Sequence, residues 1–411
     1  MQSRDDRLAA DARLQPFTGR VAFYAAGLTA CGSLVFITLI LVVAFILTSR
    51  PDTLAMSVDF RVFWAAGKLA VGGEPLAVHD LARLSATHAT YVEAYMPWLY
   101  PPGYLILVTP FGTMSFAMAF LIWTLLSLAI IVWAVRPFVA GIRPLWVLMA
   151  LAPAYYPTLL LGQNSLFWLA GLLGALAALR DGRWVLAGIF IGALTLKPQL
   201  GVMIPFALLA IGAWRTILAA ILTTIVLIVL PTFYYGLEYW PLLFTSLEEH
   251  SANMIFSVGQ LKLMLSPLYF LTFVGLDPDF ALNVQWAITG AAALAVLVLW
   301  RSDRVGFDGK AAGLLCAILL SAPYLWYYEG ALLAVIALLL LRAGILTLRP
   351  LHLLLLVPLW IGGGLQALNT FTEFVDQRWL GAAYISPLLV ICLGLCLRQT
   401  LQPRSQVMDA T

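Results

Sequence analysis

From Val21 to Thr48 the chain reads VAFYAAGLTACGSLVFITLILVVAFILT, 28 residues without a charge. A helix needs about 20 apolar residues to cross a bilayer, whereas a cleaved leader has an apolar core of about 7–15. The run is therefore read as a retained first span. Further uncharged runs follow at roughly 116–135, 144–161, 164–179, 184–196, 198–213, 216–235, 280–300, 311–327, 330–341, 350–370 and 381–397. Only 10% of the residues are charged, against about 25% in soluble domains. Such a chain cannot cover a surface that faces water. The expectation is one all-α polytopic membrane domain over residues 1–411 with about 12 transmembrane helices, surrounded by membrane lipids and with no nucleic acid as partner.

Twelve crossings put both ends on one side. Sixteen of the 23 Lys and Arg residues share that side, while 13 of the 20 acids fall on the other. By the bias of basic residues toward the cytoplasm, the tails at 1–20 and 398–411 are cytoplasmic. Two long segments, 50–103 and 236–279, then lie outside as aromatic-rich loops carrying interfacial helices. Cytoplasmic connections such as RDGR at 180–183 are too short for a nucleotide-binding domain. The apolar but Pro- or Gly-interrupted stretches 102–114 and 260–276 read as interfacial or re-entrant pieces. The four cysteines sit in apolar runs and read as small buried hydrophobes.

Asp59 leads the stretch SVDFRVFWAAGK. Phe60, Phe63, Trp64 and Gly67 share one helical face, with Arg61 and Lys68 on another, as in a helix lying along the outer membrane surface. Asp59 is either the N-cap of that helix or a general base above the bilayer. Tyr100 and Tyr104, in LYPPGY, read as interface anchors. Gln163 and Asn164, at a tight outer turn in LLGQNSLFW, either cap the turn or hold sugar hydroxyls. Lys197, in ALTLKPQLG, is the only charge between Arg183 and Arg215. It either snorkels from a helix end or is fixed at the bend made by Pro198, where a cation suits a phosphate. Tyr328 and Glu329, in PYLWYYEG, belong to an aromatic belt or supply a second carboxylate. His250, in EEHSAN, reads as a solvated loop histidine. Gly188 and Gly192 form a GxxxG step that packs helices. No acid triplet or His-rich metal motif is present, and no cofactor is expected.

In order, VDFRVFWAAGKLAVGGEPLAVHD, YPPGYLILVTPF, LLGQNSLFWLAGLL and LAGIFIGALTLKPQLGVMIPFALLA resemble glycosyltransferase family 87. That family lies in the GT-C superfamily of membrane glycosyltransferases and includes polyprenyl-phosphate-mannose-dependent mannosyltransferases. The resemblance is good over about residues 20–215 and looser beyond. It implies a GT-C-like enzyme of the inner (plasma) membrane whose active site faces the periplasm or exterior. Mannose or another hexose would pass, with inversion, from a polyprenyl-phosphate donor to a hydroxyl on a lipid or glycan acceptor. Asp59 would be the catalytic base and Lys197 would face the donor phosphate. Gln163, Asn164, Arg61, Tyr100, Gln199, Tyr328, Glu329 and His250 complete the set of substrate-binding candidates. Where relatives often carry a histidine or aspartate after the later aromatic motif, this chain has WYYEG, with Glu329 in place of that acid. The alternative is a secondary transporter of a small or lipid-linked solute. Assaying sugar transfer against uptake after Asp59→Ala separates the two.

Overall fold

The computed structural model describes residues 4–48, 58–88, 96–257, 264–371 and 384–401. Parts of both long outer loops, the TEFVDQRW stretch and the tail from 402 lie outside the described residues, as does the cap position before Asp59's helix.

Among the described residues the chain is helical, with no strand beyond a single antiparallel bridge between Met264 and Trp326. The amino-terminal part holds α1 (Arg4–Ala12), α2 (Arg20–Thr48), α3 (Val58–Val71), α4 (Leu81–His88) and α5 (Pro102–Val108). It continues through α6 (Phe116–Ala134), α7 (Arg143–Ala150), α8 (Tyr156–Leu161), α9 (Ser165–Arg180) and α10 (Trp184–Leu194). Next come α11 (Ile204–Ala210), α12 (Trp214–Tyr235), α13 (Tyr239–Ser257), α14 (Pro267–Phe273) and α15 (Pro278–Arg301). The chain closes with α16 (Phe307–Ser321), α17 (Ala331–Arg342), α18 (Pro350–Phe371) and α19 (Ile385–Arg398).

Among the described residues, five segments are long and apolar enough to cross a membrane: Arg20–Val43, Phe116–Phe138, Arg143–Leu161, Trp214–Tyr235 and Pro278–Arg301. Shorter apolar helices include Ser165–Arg180, Trp184–Leu194, Pro350–Gly362 and Ile385–Leu401. The protein is an all-α membrane protein. Helices α2 and α12 carry large side chains such as Phe23, Leu34, Leu230 and Phe233 on exposed faces, surfaces that suit lipid and not water. Among the described residues of the stretches 102–114 and 260–276 the helices are short: α5 and α14, of seven residues each, and a 3-10 turn at Thr109–Thr113.

The most completely buried helices are α16 and α17. Every residue of α17 is buried, so it runs as a rod through the centre of the bundle. Its first residue follows Glu329 and its last is Arg342. Asn164 immediately precedes α9, which ends at Arg180. At one end of these two helices stand Asn164 and Glu329, joined through Lys197. At the other, Arg342 binds Asp11 at 2.8 Å and Asp308 at 3.2 Å, and Arg7 binds Asp181 at 2.8 Å. The two helices therefore run parallel between two separate polar clusters. At about 1.5 Å per residue, the twelve residues of α17 hold those clusters roughly 18 Å apart.

Small residues set the close contacts. A Cβ at Gly188 or Gly192 would lie 2.5 Å from atoms of α12, so the GxxxG step packs α10 on α12, as its spacing suggests. A Cβ on Gly67 would meet the Val108 carbonyl at 2.5 Å, and one on Gly112 would meet the Gly67 backbone at 2.2 Å. This approach buries α3 far beyond one face: Phe60, Val62, Phe63, Ala65 and Ala66 are all buried and only Lys68 is exposed among residues 60–69. The expectation of a helix lying along a membrane surface is corrected here. Its side chains are small enough on the second face for protein to cover both. Tyr104, likewise, is no interface anchor; it is buried and stacks on Tyr100 at 4.3 Å within a cluster that includes Phe63 and Trp98. Cys316, Cys392 and Cys396 are buried free thiols, as their apolar settings suggest, whereas Cys31 is exposed.

Candidate functional site

Helix α8 ends at Gly162, whose φ of +63° is left-handed, a conformation glycine adopts without Cβ strain. The chain reverses there in three residues and enters α9. Phe60 sits on that glycine so closely that an added Cβ would lie 2.5 Å from Phe60 Cβ. This contact brings the first turn of α3, and with it Asp59, to the Gln163–Asn164 turn.

There, Gln163 Nε2 donates to Asp59 Oδ2 at 3.1 Å, and Gln163 Oε1 accepts from the Asn164 backbone N–H at 3.1 Å. The two bonds fix which end of the amide faces the acid. Asn164 occupies the N-cap position of α9 but makes no side-chain cap. Its Oδ1 accepts from Lys197 Nζ at 3.0 Å. Lys197 also forms an ion pair with Glu329 Oε1 and lies 5.1 Å from the centre of the Tyr328 ring. Helix α10 ends at Leu194 and a 3-10 turn begins at Pro198, leaving Lys197 extended between them. The ammonium is thus held in the interior, with the residue only 4% exposed. It does not snorkel to a membrane surface.

Tyr328 and Glu329 lie on a 3-10 turn before α17. Thr158 Oγ1 donates to the Tyr328 carbonyl at 2.8 Å, and Leu265 N–H donates to the Leu325 carbonyl at 2.7 Å. These bonds tie the turn to α8 and to the end of the second outer segment.

Asp59 retains some exposure while lying deep among neighbouring atoms. Burial pushes its pKa up to about 6; the Gln163 hydrogen bond and the Lys197 charge pull it down, and the Glu329 charge adds to the rise. Tyr100 is raised as well, by burial first and then by the Asp59 and Glu329 charges, with the Gln163 and Asn164 amides opposing. The carboxylates, the lysine, two amides and two tyrosines thus share one locus. Such a set can accept a proton at one end and balance an anion at the other.

Three candidates stand elsewhere. Arg61 is buried with its guanidinium 4.6 Å from the Phe116 ring centre and donates to the His88 carbonyl at 3.3 Å. Two positions along a helix turn a side chain by about 200°, so Arg61 leaves on the face opposite Asp59. Gln199 is exposed on the 3-10 turn after Lys197, and His250 is half-buried on α13; both are outside the network. Thr158, which holds the Glu329 turn, has no local sequence signal, since its partner is 170 residues away. Among the described residues no group of three or more His, Cys, Asp or Glu is placed to hold a metal ion.

Among known proteins, the model of glycosyltransferase family 87 fits residues 98–323. That range covers Trp98, Tyr100 and Tyr104, the Gln163–Asn164 turn and Lys197, but neither Asp59 nor Glu329. No curated protein and no solved structure matches the chain.

Proposed function

The chain belongs to glycosyltransferase family 87, and on that footing we propose that it moves a hexose, with mannose as the leading choice, from a polyprenyl-phosphate donor to an acceptor hydroxyl. The observation that carries this reading is the bonded path from Asp59 through Gln163 and Asn164 to Lys197. That path spaces a proton acceptor and a cation by two oriented amides.

The proposed chemistry follows from those groups. The acceptor hydroxyl gives its proton to Asp59 while its oxygen bonds to the anomeric carbon from the side opposite the phosphate. The bond from that carbon to the phosphate oxygen breaks, its electron pair stays on the oxygen, and the configuration inverts. Lys197 offsets the charge gathering on the leaving phosphate, an arrangement that counts most where water is excluded. Asp59 is ionised above about pH 6, so it is available as a base near neutrality and close to the operating pH that favours proton transfer. Tyr100 and Tyr328 offer faces and hydroxyls to the sugar. The acceptor is a lipid or glycan hydroxyl.

We place this site on the periplasmic or exterior side of the inner membrane, in a GT-C-like topology of twelve crossings with cytoplasmic termini. Two features support the placement. The Arg7–Asp181 and Arg342–Asp11 pairs gather residues from the basic-rich side, and the Lys197 cluster lies at the opposite ends of α9 and α17.

The test is transfer in proteoliposomes from a labelled polyprenyl-phosphate mannose, with Asp59→Asn alongside. Removing a general base costs roughly 100- to 10,000-fold. Wild-type turnover by the Asn variant would refute the assignment of Asp59. Mass analysis of envelope glycolipids, with and without the protein, identifies the sugar and acceptor.

A further inference from the structure

We infer that Glu329 holds the place of the donor's phosphate on Lys197, so that donor binding is an exchange of a protein carboxylate for a phosphate. The inference rests on the reading above that Lys197 receives the phosphate. It adds a competing anion, built into the site, that the donor must displace.

An ammonium has three donors. On Lys197 they face Asn164 Oδ1, Glu329 Oε1 and the Tyr328 ring, so the protein itself surrounds the cation. A phosphodiester donor carries one negative charge and presents its oxygens much as a carboxylate does. For it to reach Lys197, Glu329 must give way. Both anions beside one ammonium, with Asp59 close by, would leave excess negative charge in a place from which water is largely excluded.

Glu329 is suited to leave. The residue is 2% exposed, and its second oxygen, Oε2, accepts no hydrogen bond from any described residue. A buried carboxylate oxygen without a donor is a standing cost. Its attachment therefore rests on Lys197, whereas Lys197 keeps Asn164 whichever anion it binds. The backbone of the turn is pinned on both sides, by Thr158 to the Tyr328 carbonyl and by Leu265 to the Leu325 carbonyl. The exchange thus needs only side-chain rotation. The Tyr100 hydroxyl lies near enough for its titration to respond to the Glu329 charge, and it offers a donor to the released carboxylate.

A fixed structural ion pair predicts the opposite response to mutation. If Glu329 only supports Lys197, neutralising it loosens the cation and weakens phosphate binding. If it competes, neutralising it frees the cation.

The experiment measures binding of geranylgeranyl methyl phosphodiester, a singly charged probe, to the full chain in nanodiscs by tryptophan fluorescence. Glu329→Gln is expected to bind about tenfold tighter than wild type and Lys197→Gln about tenfold weaker. In the double variant the gain from Glu329→Gln disappears, because there is no cation left to contest. Unchanged or weaker binding by Glu329→Gln, together with loss in Lys197→Gln, overturns the exchange and leaves the phosphate at Lys197. Wild-type binding by Lys197→Gln overturns the phosphate placement, and the reading above with it. Thermal unfolding of each variant is followed in parallel. If Glu329→Gln does not fold, Glu329→Asp, shorter by one methylene, is read in its place, with a smaller gain supporting exchange and a loss or no change refuting it.

Discussion

Asn164 stands where a helix N-cap stands, yet its side-chain oxygen accepts from Lys197 Nζ at 3.0 Å and caps nothing. An asparagine at that position ordinarily satisfies a backbone N–H of the first turn and contributes about 1 kcal/mol. Here the bond is directed to the cation. Asn164→Ala therefore removes no cap, but leaves a buried ammonium with one partner fewer. If Lys197 receives the donor phosphate, the apparent KM for donor rises about tenfold in this variant, with a smaller change in kcat. Donor titration of transfer in proteoliposomes checks this split. A fall in kcat alone would point to a role away from the phosphate.

The pH profile follows from Asp59. With its pKa raised by burial from 3.8 to about 6, transfer is expected to increase with pH through about 6 and then level off. The Gln163 hydrogen bond opposes that rise, so Gln163→Leu moves the inflection to higher pH, by about one unit for the loss of one charge-assisted bond. The stability effect has the reverse sense. Because the folded state holds the Asp59 proton more tightly than the unfolded state, the native state loses stability as pH rises from 3.8 through about 6. Asp59→Asn is accordingly expected to unfold at a higher temperature than wild type at pH 7, with no such advantage at pH 3. Calorimetry at the two values tests the sign.

Arg342 is fully buried and binds Asp308, Asp11 and the Phe138 carbonyl. Replacing it with methionine leaves Asp308, 2% exposed, as an uncompensated charge. Removing one partner of a buried pair costs about 3–5 kcal/mol. The expected result is a marked loss of thermal stability. Asp308→Asn in the same chain should recover part of it, because the stranded charge is gone. Unfolding of the single and double variants decides, and equal stability of Arg342→Met and wild type would contradict the account.

Much of this architecture is legible in the residues. The bend at Lys197–Pro198 is readable because a lone charge and a helix breaker coincide in an apolar run, and the Gly188–Gly192 step is readable because its spacing places both on one face. The burial of α3 is not. Phe60, Phe63 and Trp64 mark an apolar face, but the alanines at 65 and 66 are equally compatible with lipid, water or protein. What decides is the approach of Gly67 to Gly112, 45 residues later. Arg61 misleads for a related reason: two residues from Asp59 in sequence is nearly the opposite face of a helix. The Thr158–Tyr328 bond joins two segments with no shared local pattern. Long-range contacts of this kind select which polar residues meet.

Gly162 gives the sharpest test of how the site is assembled. Its φ of +63° and the Phe60 Cβ, 2.5 Å from where its own Cβ would stand, restrict the position in two independent ways. Gly162→Ala must adopt a left-handed conformation, at about 1–2 kcal/mol, and must also push Phe60 away. Phe60 adjoins Asp59, so the displacement is transmitted directly to the carboxylate and to its 3.1 Å bond with Gln163. A misplacement of about 1 Å at a reacting group can cost 100-fold in rate. If Asp59 is the base, transfer by Gly162→Ala falls by about that factor while the protein stays folded. Transfer assays paired with unfolding measurements test this, and a Gly162→Ala variant with wild-type turnover would show that Asp59 does not depend on this contact for its position.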